Sequence, residues 1–181
     1  SAYRKAVAKG SSAAMVELGT LLEAGAGIAK DEAQARALFQ RAAAAGNPRA
    51  LTRLATASAA SGGAADPAQE RAMLTRAAEG NSADAQFQLG LMYANGVGGP
   101  KDDAAARSWF EKAAAQNNPN ALEWMGSFAA SGRGGPRDIQ AAKAYYARAA
   151  ALGDEDAKAQ LKRLECSITI KDARGHPVGC L

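Results

Sequence analysis

The sequence predicts an all-α fold made of repeated helix pairs, ending in a short β-hairpin-like tail. Three observations predict it. Alanine occupies about one in four of the 181 positions, and alanine gives up no side-chain entropy on entering a helix. A set of landmark residues returns every 35 or 36 positions. From Cys166 onward the pattern becomes an alternation of apolar and polar residues, which marks strands.

Composition narrows the function classes. Lys and Arg number 22 against 18 Asp and Glu, a net charge of +4. That excess is too small to imply nucleic acid. Aromatic residues make up 6%, which is thin for a conventional core. No run of ~18 apolar residues exists, so membrane insertion of this segment is not expected. The chain opens on Ser1, with no basic stretch leading into an apolar one.

Self-similarity at a fixed period is the signature of repeat architectures. A basic-Ala-Ala triplet occurs at Arg41-Ala42-Ala43, Arg76-Ala77-Ala78, Lys112-Ala113-Ala114 and Arg148-Ala149-Ala150, at intervals of 35, 36 and 36. Asp31, Asp66, Asp102 and Asp138 follow the same intervals, and Gly19, Ala55, Gly90 and Gly126 run at 36, 35 and 36. These landmarks divide residues 1–165 into a partial repeat 1–10, repeats 11–46, 47–80, 81–116 and 117–153, and a capping helix 154–165. Residues 166–181 form the tail.

Each repeat is expected to hold two helices. In the third, Ser82 to Asn95 forms the first helix, with Ala85, Leu89 and Tyr93 at i, i+4 and i+8 on one stripe. Glycine inside a helix costs about 1 kcal/mol relative to alanine. Gly19, Gly90 and Gly126 therefore imply a packing reason: a neighbouring helix crosses there with no room for a Cβ. The second helix starts at the repeating Asp, where a carboxylate accepts backbone N–H groups and opposes the helix dipole. The apolar pairs Leu38-Phe39, Met73-Leu74, Trp109-Phe110 and Tyr145-Tyr146 follow. Gly46, Gly80 and Gly153 supply the C-terminal stop. Asn47-Pro48 and Asn118-Pro119 restart the chain into the next first helix.

The loop between the two helices is the most specific signal. It runs Gly25-Ala-Gly-Ile-Ala-Lys-Asp31 in repeat one, Gly96-Val-Gly-Gly-Pro-Lys-Asp102 in repeat three and Gly132-Arg-Gly-Gly-Pro-Arg-Asp138 in repeat four. Together with Leu-Gly, Tyr and basic-Ala-Ala, best met over residues 82–116, this pattern resembles the Sel1-like repeat family. That family is related to the tetratricopeptide repeats and has a longer loop between its helices. The resemblance covers residues 2–165. It implies a bacterial protein whose α-α superhelix, a right-handed solenoid of helix-turn-helix repeats, is used for protein binding.

Repeat two departs from the pattern. Leu54-Ala55 replaces Leu-Gly, the aromatic is missing, and the loop is the short Ser61-Gly-Gly-Ala-Ala-Asp66. Looser packing is expected there. Tyr3-Arg4-Lys5-Ala6-Val7 aligns with Phe39-Gln40-Arg41-Ala42-Ala43. The chain thus opens partway through a second helix, and the full protein is expected to continue upstream. At the other end Lys162 stands where Gly126 stands in repeat four, so helix 154–165 is expected to be a polar cap.

In the tail, Ser167-Ile-Thr-Ile-Lys171 alternates, Asp172-Ala-Arg-Gly175 can turn the chain, and Pro177-Val178-Gly179-Cys180 returns it. Cys166 and Cys180, the two cysteines, flank this hairpin. A disulfide closing the ~15-residue loop would stabilise by roughly 3 kcal/mol in the chain-entropy model. It would favour a periplasmic or secreted location. Two free thiols in a cytoplasmic protein are the alternative.

Catalytic chemistry is sparse. His176 is the single histidine, which excludes a His-x-x-x-His zinc site. With Cys166 and Cys180 it makes three soft ligands or a Cys-His pair. No oxyanion element or orienting third group accompanies them, and an exposed turn histidine fits better. No Ser-x-x-Lys occurs, and no loop fits Gly-x-x-x-x-Gly-Lys-Ser/Thr. No catalytic residue, metal or cofactor is assigned.

In tetratricopeptide-like superhelices the first helices line the concave face. The resemblance therefore selects Asp84, Phe87, Leu91 and Asn95 as groove residues, one stripe away from Ala85, Leu89 and Tyr93. Their counterparts are Val16 and Thr20 in repeat one, Arg49, Thr52 and Thr56 in repeat two, and Asn120, Glu123 and Ser127 in repeat four. Arg49, Asp84 and Glu123 are mixed in sign, whereas neutralising phosphates needs a run of Lys and Arg. Nucleic acid is therefore not expected. Val16, Phe87 and Leu91 among polar neighbours suit a peptide or a partner's helix; Phe87 and Leu91 equally suit packing on the next repeat. The expected function is a non-catalytic interaction module or scaffold that binds a protein or peptide in the groove. One alternative is the C-terminal accessory domain of a larger enzyme such as a caspase-like hydrolase, which full gene length would decide. The other is a stand-alone hydrolase using Cys166, Cys180 or His176, which an activity lost in Cys180→Ser would support.

Overall fold

The computed structural model describes residues 2–60, 66–166, 169–171 and 177–180, with side chains over 2–55 and 66–165. The described residues form ten helices. The first five are α1 (Ala2–Ala8), α2 (Ser12–Ala24), α3 (Glu32–Ala44), α4 (Pro48–Ala60) and α5 (Pro67–Glu79). The others are α6 (Ala83–Asn95), α7 (Asp103–Ala115), α8 (Pro119–Ser131), α9 (Ile139–Ala151) and α10 (Glu155–Cys166). The body of the fold is all-α.

Local side chains set where the helices start. Ser11, Ser82 and Asn118 cap α2, α6 and α8 by accepting the N–H groups of Ala14, Ala85 and Ala121. Asn47 does the same for α4 through the N–H groups of Arg49 and Ala50. Asp31, Asp66, Asp102 and Asp138 cap α3, α5, α7 and α9. Each cap satisfies an orphan N–H of the first turn.

The stops differ from expectation at Gly80. The left-handed residue after each second helix is Gly46 (φ +77°), Asn81 (+64°), Asn117 (+59°) and Gly153 (+94°). Gly80 lies one residue earlier, at φ −74°. Helix length is the reason. Each second helix runs 13 residues from its Asp cap, which fixes the position that must turn. Asparagine tolerates that conformation better than other side chains.

The chain divides into two compact units, Ser1–Lys101 and Asp102–Leu181. In the first, α1 to α6 pack in chain order. A Cβ on Gly19 would lie 2.7 Å from Cε1 of Phe39. In the second, a Cβ on Gly126 would lie 2.6 Å from Cε1 of Tyr146. The crowding at these glycines comes from the ring of the same repeat's second helix, not from a crossing backbone. Phe110, Trp124 and Phe128 form an aromatic cluster, with Phe110 edge-on to Phe128 at 5.3 Å between centroids. The basic-Ala-Ala triplets have two jobs. Ala42, Ala77, Ala113 and Ala149 are fully buried, and Arg148 donates to the carbonyl of Ala114 at 2.7 Å near the end of α7.

In the tail, β1 (Thr169–Lys171) and β2 (Pro177–Cys180) pair antiparallel. Thr169 is opposite Cys180 and Ile170 opposite Gly179, with a shift in register between Ile170 and Lys171. His176, the turn residues 172–175 and the side chains of Cys166 and Cys180 lie outside the described residues. The expected disulfide falls there too.

Candidate functional site

Arg49, Asp84 and Asn120 are each the second residue of a first helix, and all three lie at its outer edge. The next position of the stripe is not uniform. Val16 is 1% and Phe87 8% exposed, whereas Thr52 and Glu123 are half-buried. Val16 and Phe87 are therefore core residues, which corrects their assignment to an open groove. The first helix α2 buries Ala14, Met15, Val16, Leu18, Gly19 and Leu22. At this position the apolar members are drawn inward and the polar members are half-buried. Further along, Thr20 and Leu91 are half-buried, while Asn95 and Ser127 are exposed. The side chain of Thr56 lies outside the described residues.

In the first unit, Arg49, Thr52 and Asp84 meet around a surface depression of about 370 Å³, completed by Arg53, Ser82 and Gln88. The Thr52 hydroxyl donates to the Pro48 carbonyl at 2.9 Å and lies 3.3 Å from the Ser82 hydroxyl. Arg49 pairs with Glu17 at 2.6 Å and Arg53 with Glu23 at 3.0 Å. These pairs face solvent, where an ion pair contributes about 0–1 kcal/mol. A partner's carboxylates can replace them with little loss.

In the second unit, Glu123 and Ser127 border a separate depression of about 280 Å³ with Trp124 and Arg133. Arg133 pairs with Asp103, and its guanidinium carbon lies 4.4 Å from the Phe128 centroid. Burial holds the Glu123 carboxyl above its ordinary value, and Asp154 and Asp156 raise it further. Burial also raises the Tyr146 phenol, with the Glu123 charge adding to it.

Arg53, Ser82, Gln88, Trp124 and Arg133 were not among the sequence candidates. Arg53 and Gln88 lie one helical turn beyond Arg49 and Asp84, so helical spacing reaches them. Arg133 sits in the loop after α8, where no helical spacing applies. Among the described residues no group of three His, Cys, Asp or Glu could hold a metal, and no helix is long and apolar enough to cross a membrane. Guanidinium, hydroxyl, amide and carboxylate groups at these rims suit hydrogen bonding to a polypeptide.

The sequence model of the Sel1 repeat matches residues 12–47, 83–118 and 119–154, more than half of the chain. The chain belongs to the Sel1 repeat family. Repeat two, with its Ala55 and short loop, falls between the matched stretches. Among solved structures, a protective antigen of uropathogenic Escherichia coli strains with an SLR fold is 29% identical. Its TM-score is 0.80, over 90% of this chain and 35% of that one. A Sel1 repeat protein from Oxalobacter formigenes is 30% identical at a TM-score of 0.77, over 87% of this chain and 64% of that one. The cysteine rich protein B of Helicobacter pylori is 25% identical at 0.57, over 70% and 96%. The chain thus spans less than two thirds of the length of the first two. No curated protein matches the sequence significantly. The Sel1 repeat fold commonly mediates protein–protein interaction and is generally non-catalytic.

Proposed function

We propose that the chain is a non-catalytic interaction module that holds a protein or peptide partner against the exposed edge of its first helices. The depression on α4 and α6 carries this proposal. It brings the guanidinium groups of Arg49 and Arg53 together with the hydroxyls of Thr52 and Ser82, the Gln88 amide and the Asp84 carboxylate. Such a mixed rim suits a segment of both charge signs better than a phosphate backbone. Thr20, Leu91 and Asn95 extend the surface, and Asn120, Glu123 and Ser127 offer a second one. The test is affinity capture from native lysate with the natural chain and an Arg49→Glu, Asp84→Lys variant, with thermal unfolding measured alongside. The partner should be lost from the variant while its midpoint moves by less than ~2 °C. Equal capture by both would refute the assignment.

The tail is proposed to close as a hairpin through a Cys166–Cys180 disulfide, and the protein to work in the bacterial periplasm or after secretion. The register with Thr169 opposite Cys180 supports the bridge, because it returns the backbone to within three residues of Cys166. A thiol count on unreduced protein should find neither cysteine free. Two free thiols would refute the bridge and remove the support it lends to that location.

A further inference from the structure

Arg49 and Arg53 stand one helical turn apart on α4, which is about 6 Å along its axis. Each already holds a carboxylate. Arg49 pairs with Glu17 and Arg53 with Glu23, so both partners come from α2. All four side chains are at least 40% exposed, and ion pairs this exposed are weak and exchange readily. The Arg53 guanidinium carbon also lies 6.0 Å from the Phe39 centroid, at the outer reach of cation–π attraction. Both arginines line the depression on α4 and α6, beside the Thr52 and Ser82 hydroxyls, the Gln88 amide and the Asp84 carboxylate.

The arginine spacing sets the register of a guest. Alternate side chains of an extended strand point the same way, about 6.6 Å apart. Two carboxylates placed so match the arginine pair. A partner helix offers carboxylates four residues apart at a similar spacing, but its backbone groups are closed on one another. An extended segment leaves its N–H and C=O groups open, and the hydroxyls and the Gln88 amide of the depression can pair with them. The Asp84 carboxylate suits one basic residue in the same segment. We infer that the depression takes an extended partner segment with acidic residues at alternate positions, and that Glu17 and Glu23 are built-in competitors which those residues displace. This rests on the function proposed above and names the chemistry of the partner. The competitors keep both guanidinium groups paired until a better-matched pair of carboxylates arrives, so they raise the threshold for binding and favour the correct spacing.

Fluorescence anisotropy of a labelled Thr-Glu-Thr-Glu-Thr-Lys peptide, titrated with the full chain, tests this. Glu17→Gln with Glu23→Gln should tighten binding about fivefold. Arg49→Gln with Arg53→Gln should weaken it about tenfold. Glu111→Gln with Glu165→Gln makes the same change of charge in the other unit and should move the affinity by less than about twofold. Thermal unfolding confirms that each variant is folded, and Glu17→Gln alone should still tighten binding about twofold. The inference is overturned if removing Glu17 and Glu23 leaves the affinity unchanged, if the control pair tightens it equally, or if the peptide binds none of these chains. A labelled Ala-rich helical peptide with two Glu four residues apart is the second probe; tighter binding of that peptide would overturn the extended register. Capture from lysate separates this inference from the proposed function. If Arg49→Glu, Asp84→Lys loses the natural partner while Glu17→Gln, Glu23→Gln captures no more of it, the surface stands and the competitors fall. Equal capture by all the chains overturns the surface itself.

Discussion

Repeats two and four share their register but fill the same contact in opposite ways. In repeat four, Gly126 leaves space for the ring of Tyr146. In repeat two, the small position holds Ala55 and the ring position holds Leu74, 0% and 1% exposed. A methyl gained on one helix is matched by a smaller side chain on the other. Repeat one follows the glycine solution, Gly19 with Phe39. The Leu-Gly of the repeat is thus one half of a shared volume, and neither half is free to vary alone.

The largest effect is expected from Phe128→Ala. Phe128 is fully buried and touches Phe110 and Trp124, whereas its counterpart in repeat two is Ala57. Emptying such a site costs about 3–5 kcal/mol, read as a drop in the denaturation midpoint. A loss under about 1 kcal/mol would show that the ring cluster is not what separates the two repeats.

Gly126→Ala sharpens the comparison directly. The new methyl meets Tyr146, and overpacking of this kind costs about 1–3 kcal/mol. Adding Tyr146→Leu recreates the pair of repeat two, so the double variant should lose less than the two single losses combined. Strict additivity would dismiss the shared volume.

Asn118→Ala removes the cap on the Ala121 N–H, 3.0 Å away, at about 1 kcal/mol. Asn47→Ala in repeat two should cost a similar amount, because caps depend on local backbone and not on ring packing. Unequal midpoints would tie the cap to its tertiary surroundings.

The smallest effect concerns Glu123. Its folded carboxyl is held above the ordinary value of 4.5, first by burial and then by Asp154 and Asp156. The folded chain therefore binds the proton more tightly than the unfolded chain does. The resulting stability is full below pH 4.5 and is lost as pH rises through the folded value. The side chain is half-exposed, so solvent screens much of this. Glu123→Gln should raise the unfolding midpoint at pH 7 by about 1 °C or less, with little change at pH 4. A larger gain at pH 4 than at pH 7 would contradict the sign.

The helix starts were legible because a cap is a local event, needing only Ser, Asn or Asp before a helix. Asn81 and Asn117 were legible in principle, since each stands as far from its Asp as Gly46 does. Gly80, one residue before the left-handed Asn81, offers a competing stop in the sequence. The site was less legible. Thr52 and Phe87 share a register, but the half-burial of one and the full burial of the other depend on neighbours that no single helix encodes. Arg49 and Asp84 come from the helical stripe, and both stand exposed at the polar entrance of their helices. Arg133 does not, because its role comes from a loop laid beside Asp103.

Every helix from α2 to α9 has the same length of 13 residues. Each of these helices also carries its own capping side chain at its start. The repeat is thus self-punctuated. Inserting or deleting one unit leaves every remaining helix with its own cap. A lineage can then lengthen or shorten such a protein by whole units through recombination, without passing through a misfolded intermediate length. What must be re-matched at each new border is the packing between neighbouring repeats, such as the hydrogen bond from Arg148 to the Ala114 carbonyl.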